Sequence, residues 1–300
     1  MPDDLEFLCN ICGSACRCPV AQLTREDQSC GSCGSNVRTR SLLRTLSLEL
    51  FQVNLALPDF PCLKSLRGLG ISDIPQYAGA LSEKFDYRNT FHDRAPQFDL
   101  MNPPASELGQ YDFVIVSDVL EHVPPPAEAG FRNAYSLLKP GGVVVMSVPY
   151  SIEDSGTIEH FPQLHQFAVT EVGGRMVLVN RTTEGQLQVF ENLVFHLGAT
   201  PSLEMREFSE QGFKQLLSGV GFDEIRWYGE DYKPYGILWG EQWSLPLVLR
   251  KGQRSFGPGT IRELMGELAD VQQRAANCKS ELHLLNQRRW VKFGRSTGAL

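Results

Sequence analysis

The sequence predicts an α/β fold built on a mostly parallel sheet, from three observations in the stretch Tyr111 to Tyr150. An apolar, β-branched run, Phe113-Val114-Ile115-Val116, closes on Ser117-Asp118, as a strand buried on both faces requires. Phe131, Tyr135 and Leu138 then recur at helical spacing until Pro140-Gly141-Gly142 stops them. A second apolar run, Val143 to Val148, follows. Together they form one β-α-β unit. Its polar cluster, Ser117-Asp118 and then Glu121-His122, falls at the carboxyl end of the first strand, where open parallel sheets bind ligands.

At 300 residues the chain holds one such domain of about 200 residues with room for attachments. Its 42% apolar content supports a packed core and excludes a disordered chain. No apolar run approaches the roughly 20 residues that span a bilayer. The start, MPDDLEF, lacks the basic-then-apolar layout of a secretory signal, so the expected location is cytoplasmic. Net charge is −7, unevenly spread: residues 251–300 carry nine Lys/Arg against four Asp/Glu, net +5, leaving −12 on residues 1–250. An acidic body argues against a nucleic-acid partner, which would need a basic face.

Six of the eight cysteines lie in the first 33 residues. Cys9 and Cys12, then Cys30 and Cys33, are two C-x2-C pairs separated by 17 residues, a spacing that fits a tetrahedral four-cysteine zinc site. With all four positions filled by thiolates, the metal would be structural. A disulfide framework is disfavoured in a cytosolic chain. Cys16 and Cys18 either replace one pair or stand free in the loop. A helix follows, capped by Ser35 or Asn36, with Leu42, Leu43, Leu46 and Leu50 as its buried stripe. Arg38, Arg40 and Arg44 stand on another side. The simplest account of that row is a solvated face; the alternative is a grip on an anionic group. Pro58 and Pro61 mark the join to the main domain.

Cys62 to Leu66 is a strand candidate that runs directly into Arg67-Gly68-Leu69-Gly70-Ile71-Ser72-Asp73, a glycine-rich loop in which a backbone can approach a ligand. A helix, Ile74 to Phe85, leads to a strand, Tyr87 to His92, and then to Phe98-Asp99-Leu100. After Tyr150 comes a long insertion, residues 151–201. It holds a hairpin of Met176 to Asn180 with Gln186 to Phe190, and before it His160 and His165 among aromatics. His196 is a third candidate in the same insertion. Leu203 to Glu207 is a short strand candidate, Phe208 to Val220 an amphipathic helix ended by Gly221, and Phe222 to Tyr228 with Leu245 to Arg250 the closing strands.

Beyond Phe256-Gly257-Pro258-Gly259, Ile261, Leu264, Leu268, Val271, Ala275, Cys278, Leu282 and Leu285 alternate three and four apart, the seam of a coiled coil. That seam would pair with its copy in a homodimer or lie on the body of the same chain. The end, Arg288-Arg289-Trp290-Val291-Lys292-Phe293-Gly294-Arg295, interleaves basic and aromatic residues and would suit contact with an anionic membrane surface. The expected divisions are 1–57 for the cysteine module and linking helix, 58–250 for the main domain, and 251–300 for linker and tail.

The order Y-D-F-V-I-x-S-D-V-L-E-H-V, then L-L-K-P-G-G, then a strand, resembles the class I S-adenosylmethionine-dependent methyltransferases, from about Pro61 to Arg250. That resemblance implies a Rossmann-like sheet of seven strands, mostly parallel. It places Gly68, Gly70 and Ser72 at the methionine and ribose of S-adenosylmethionine, Asp99 at adenine, and Ser117, Asp118 and His122 along the crevice floor. Arg67 stands where the family has an acid before the glycines, a departure for which Asp73 or Asp118 would compensate. Asn89, Thr90 and Asp93 are the choices for the ribose hydroxyls. A hydroxyl acceptor would need its proton removed, with His160 and His165 the first candidates. C-x2-C-G-S followed by an arginine-rich helix resembles the zinc module preceding some bacterial methyltransferase domains. The R-W-x-x-x-G-R ending is similar to bacterial enzymes acting on cell-surface polysaccharide, which implies O-methylation of a sugar or other small-molecule hydroxyl. The competing readings are an RNA methyltransferase that holds RNA with the zinc module and an inactive methyltransferase fold that only binds. A nicotinamide oxidoreductase leaves D-V-L-E-H-V and K-P-G-G without a role.

Overall fold

The structure, a computed structural model, describes residues 4–153, 156–196, 202–240 and 242–296, with side chains as far as 285. The chain begins with a hairpin, β1 (Asp4–Leu8) and β2 (Ala15–Pro19), and then α1 (Val37–Phe51). The main sheet and its helices follow as β3 (Leu63–Ile71), α2 (Pro75–Lys84), β4 (Phe85–Thr90), β5 (Tyr111–Ser117), α3 (Ala127–Leu137) and β6 (Leu138–Ser147). The insertion carries β7 (Tyr150–Ser151), β8 (Ile158–Glu159), β9 (Gln166–Val172), β10 (Arg175–Arg181), β11 (Leu187–Phe190), β12 (Phe195–His196), β13 (Ser202–Leu203) and β14 (Arg206–Ser209). The chain closes with α4 (Glu210–Val220), β15 (Glu224–Trp227), β16 (Leu247–Arg250) and α5 (Pro258–Ser296).

The central sheet has the order β15-β16-β6-β5-β3-β4. β4, β3, β5 and β6 are parallel, and β16 and β15 add antiparallel at one edge. This is a Rossmann-like mixed sheet. Among the described residues it has six strands and not the expected seven. Residues 91–110, between β4 and β5, contain Pro96, Pro103 and Pro104 and make only the isolated bridge Phe91 to Gln97. Prolines cannot donate to a ladder, so no further strand extends the β4 edge. The chain leaves β3 outward to β4 and returns to β5 on the other side of β3, which opens a switch-point crevice beyond the carboxyl ends of β3 and β5.

Side-chain alternation along β5 divides the core. Val114 and Val116 pack with Phe131, Ala134, Phe213 and Leu217 of α3 and α4, while Phe113 and Ile115 face α1 and α2. The leucine stripe of α1 is therefore part of the sheet's own core: Leu42, Leu43, Leu46 and Leu50 are buried in one cluster with Val143, Val145 and Val248. The helix starts in a reciprocal cap, Asn36 Oδ1 accepting from Thr39 N at 3.0 Å and Thr39 Oγ1 from Asn36 N at 3.2 Å. On this helix the arginine row is not a solvated face. Arg40 is fully buried, its Nη2 donating to Ser29 Oγ and Gly236 O at 2.9 Å each. Arg44 lies over the Tyr232 ring, 4.5 Å from its centroid, and Arg38 points into the crevice. The hairpin predicted around 176–190 gains a third strand, β9. On the first turns of α5, Glu263 Oε2 accepts from Ser65 N at 3.1 Å and from Ser65 Oγ at 2.7 Å. Beyond them Leu268, Val271, Leu282 and Leu285 are exposed. No helix among the described residues is long and apolar enough to cross a membrane.

β3 runs to Ile71, so Gly68 and Gly70 lie inside the strand and not in a loop after it. Their neighbours explain the residue type: a Cβ on Gly68 would come 2.2 Å from the Phe113 ring, and one on Gly70 would come 2.0 Å from the Tyr87 hydroxyl. Phe113 and Tyr87 stack at 6.1 Å across the space that the missing side chains leave. Gly68→Ala must displace a fully buried ring and is expected to cost about 1–3 kcal/mol through overpacking. A urea midpoint equal to that of the unaltered protein would show that Phe113 can move freely.

Candidate functional site

The crevice floor is made by the turn that ends β5. Asp118 has φ 53, a left-handed conformation that is unfavourable for a side-chain-bearing residue. The turn is held by its partners. Arg25 Nη2 donates to both Asp118 oxygens at 2.7 and 2.8 Å and to Ser244 Oγ at 2.6 Å. Arg38 Nη1 donates to Ser117 Oγ at 2.9 Å, with its Nε 3.4 Å from Asp118 Oδ2. Ser147 Oγ donates to Asp118 Oδ1 at 2.9 Å. Burial pushes the Asp118 carboxyl up, but the two guanidiniums outweigh it and hold the group below the usual carboxylate range. Neither Arg25 Nε nor Arg38 Nε has a hydrogen-bond partner. The floor therefore carries two largely enclosed cations, each with an Nε that makes no hydrogen bond, beside one carboxylate.

Around it the predicted residues take different places. Ser72, at φ 61, makes the turn after β3 and its N–H donates to Thr90 O at 2.7 Å. Asp73 is enclosed: its carboxylate accepts from the Tyr77 hydroxyl at 2.7 Å and from the Tyr87 hydroxyl, and Asn89 brackets its backbone. Burial raises its pKa to about 7 against the two tyrosine bonds, which pull it down. Asp73 thus ties the turn after β3 to α2 and β4. Asp99 caps a turn, accepting from Met101 N and Asn102 Nδ2 at 2.8 Å each.

A second cluster lies beside the floor. His122 Nδ1 is 2.9 Å from Leu203 O, which requires the proton on Nδ1 and leaves Nε2 with a free lone pair. That Nε2 is 3.8 Å from Glu121 Oε1. Burial lowers the His122 pKa. Its ring meets His196 edge to face, centroids 4.9 Å apart. Glu204 joins two further rings, its Oε1 2.8 Å from His160 Nε2 and its Oε2 against His196 Nε2. Glu121 is 1% exposed, neither of its oxygens has a partner, and burial followed by the Asp118 charge raises its pKa well above the carboxylate range. Buried Arg206 fixes the loop by donating from Nη1 to Leu120 O and Val123 O at 2.7 and 2.8 Å. A cleft of about 390 Å³ opens here, lined by Glu121, Tyr150, His196, Glu204 and Trp243. His165 does not line it: its ring is exposed at the start of the β9 hairpin, and only its backbone N–H is engaged, with Asn180 Oδ1.

In the amino-terminal module, Cys9, Cys12, Cys30 and Cys33 place their sulfurs within 4.8 Å of one another. Cys9 to Cys33 is 3.6 Å and Cys12 to Cys30 is 3.7 Å, close to the roughly 3.8 Å separation of sulfurs around a tetrahedral ion with ~2.3 Å bonds. Burial raises the Cys30 thiol, but hydrogen bonds from the Cys33 and Ser32 backbone outweigh it and bring it down to about 6. Cys16 lies at the rim, 3.5 Å from Cys30, whereas Cys18 turns toward Pro19 O and Gln22 Oε1. These four thiols could hold a metal.

Residues 65–225, just over half of the chain, match the family described as Methyltransferase domain. The chain belongs to this family. The chain is also similar to the ubiquinone biosynthesis O-methyltransferase of Marinobacter nauticus, 38% identical over 95 residues, a stretch that covers 32% of each protein. Among solved structures, an S-adenosylmethionine-dependent methyltransferase from Clostridium acetobutylicum is 10% identical with TM-score 0.37, covering 70% of this chain and 98% of that one. An amino pentose methyltransferase from Micromonospora echinaspora with bound cofactor is 12% identical with TM-score 0.39, covering 72% and 92%.

Sequence reasoning passed over Arg25 and set Arg38 aside as solvated. It did not assign Glu121 or Glu204. The one available signal was Glu121, an acid flanked by apolar Leu120 and lying within four residues of Asp118 and His122. The enclosure of Asp73 has a direct consequence. Its folded pKa lies above the ordinary value of 3.8, so the folded state holds the proton more tightly. The resulting stabilisation is complete below about pH 4 and is lost as pH rises to about 7. The stability of the unaltered protein relative to Asp73→Asn should therefore fall by roughly 2–4 kcal/mol between those limits. A gap between the two that did not change with pH in denaturant titrations would place the carboxyl in water.

Proposed function

We propose that this protein is an S-adenosylmethionine-dependent methyltransferase that O-methylates a sugar or other small-molecule hydroxyl in surface-glycan assembly. The observation that carries the cofactor assignment is the pair of largely enclosed arginines, Arg25 and Arg38, at the carboxyl end of β5, whose Nε atoms make no hydrogen bond. An amino-acid carboxylate would satisfy those donors, and Asp118 offers the matching anion for an ammonium group. The cofactor's methionine end has both charges. When bound, the cofactor would supply an electrophilic sulfonium methyl group. The chain's part is to hold the acceptor oxygen in line, exclude water and take up the acceptor's proton. His160, paired with Glu204 at 2.8 Å, is the base we assign, since Glu204 lines the cleft and holds the ring beside it. His165 is too far out on the hairpin for that role. The cysteine cluster holds structural zinc in this reading, with buried Arg40 offsetting the excess thiolate charge. The inward turn of Arg38, Arg40 and Arg44 is our reason for preferring a small-molecule acceptor to RNA. The sugar assignment rests on the R-W-x-x-x-G-R ending, whose side chains lie outside the described residues.

Calorimetry should show one S-adenosylmethionine bound per chain, weakened at least about tenfold by Arg38→Ala through loss of a charge-assisted bond. Methyl transfer should occur to nucleotide-linked sugars. No cofactor binding would overturn the assignment, and activity on RNA alone would overturn the acceptor.

We also propose that α5 pairs with a second copy of itself. Its exposed seam keeps a three-four spacing past the first turns, where nothing in the described chain covers it, and that spacing holds one continuous stripe only between supercoiled helices. Ala275 and Cys278 weaken the middle of the seam, so light scattering should show a mass rising toward the dimer with concentration, and a monomer after truncation at Gly257. A monomer in both at high concentration refutes it.

A further inference from the structure

We infer that Glu121, His122 and His196 form a second metal site, chemically unlike the cysteine cluster. It would take a divalent first-row transition ion and leave a coordination position open to the cleft. One ligand atom from each of the three lies within 4.8 Å of the others, against roughly 3.4 Å for ligands ~2.1 Å from a tetrahedral ion, so a modest contraction closes the set.

Two further observations point the same way. Glu121 is buried at the crevice edge with both oxygens lacking any hydrogen-bond partner, and Oε1 is directed to His122 Nε2 at 3.8 Å. A fully buried carboxyl without partners is costly in either protonation state, and a cation between Glu121 and His122 would remove that cost. His122 is already set as a ligand: its Nδ1–H donates to Leu203 O at 2.9 Å, which leaves the Nε2 lone pair for a metal. Metal-bound histidines are held in this way by an outer carbonyl or carboxylate. Glu204 plays the corresponding part for His196 and reaches His160 with its other oxygen.

Donor chemistry sets the class of ion. Two neutral imidazoles and one carboxylate suit zinc or ferrous iron and not calcium or magnesium, which prefer all-oxygen shells. The cysteine cluster offers four protein ligands and is closed, whereas three ligands leave a place for an outside donor. Glu121 and His196 both line the 390 Å³ cleft, so that place is open to an oxygen of the bound acceptor. This last step rests on the methyltransferase reading; the metal site itself does not.

The test is zinc content after chelation, reloading with Zn²⁺ alone and exhaustive dialysis. The full-length protein should retain two equivalents per chain. Cys33→Ser should retain one, a His122→Ala/His196→Ala double variant should retain the other, and His165→Ala should keep both. Glu204→Gln, which leaves all three ligands in place, should weaken the second equivalent by about 10–100-fold. Saturation of the unaltered protein at one equivalent, removed by Cys33→Ser, overturns the site without relying on any histidine variant to fold. Two equivalents in the double-histidine variant also overturn it. Cofactor titration of the same samples separates the two readings: S-adenosylmethionine binding with one zinc sinks the metal site alone, and two zinc ions without cofactor binding sink the methyltransferase reading alone.

Discussion

The structure depends on one largely enclosed carboxylate, Asp118, and on where its counter-charges originate. Both come from the first forty residues: Arg25 from the cysteine-bearing loop and Arg38 from the first turn of α1. Removing either arginine would leave a largely desolvated carboxylate short of a counter-charge. The left-handed turn at Asp118 adds strain that only these contacts and Ser147 hold. The crevice is therefore a joint product of two parts that look separate in the sequence. The sheet supplies the turn, and the amino-terminal segment supplies the ions that keep it in shape.

The same joining recurs in the apolar core. One face of the sheet is covered by α2 together with α1, whose leucines meet Val143, Val145 and Val248. Buried Arg40 extends the contact by donating to Gly236 O, and Arg250 meets buried Glu49 of α1. A boundary near residue 57 marks a change of sequence character, but packing continues across it.

The parallel core was legible because its signals are local. Phe113 to Val116 and Val143 to Val148 announce buried strands by composition alone, and Gly221 ends α4 at φ 97 as a C-terminal glycine should. The four cysteines were legible through spacing. What could not be read was anything decided by distant partners. Gly68 and Gly70 looked like a ligand-facing loop because the pattern G-x-G is the same whether a glycine makes room for a ligand or for Phe113 and Tyr87. Arg38 and Arg40 looked solvated because Asp118 and Gly236, which hold them, lie about 80 and 200 positions further on. Among the histidines, His165 drew attention as His160 did, yet only a fold could separate a ring on Glu204 from one at a hairpin's base. The missing seventh strand is a case where local information existed, in three prolines, and was outweighed by the family pattern.

The placement of α1 bears on how the chain is made. Ribosomes deliver proteins from the amino terminus, so the Leu42–Leu50 stripe emerges long before β6 and β16, the surfaces it will cover. During that interval a nascent helix of 15 residues has little stability of its own. A metal held by Cys9 to Cys33 would complete its coordination within the first 33 residues, since binding free energy of this kind acts as local folding energy. The cysteine module would then serve as an early anchor in synthesis, keeping the start of α1 fixed and its apolar face in order until the sheet arrives.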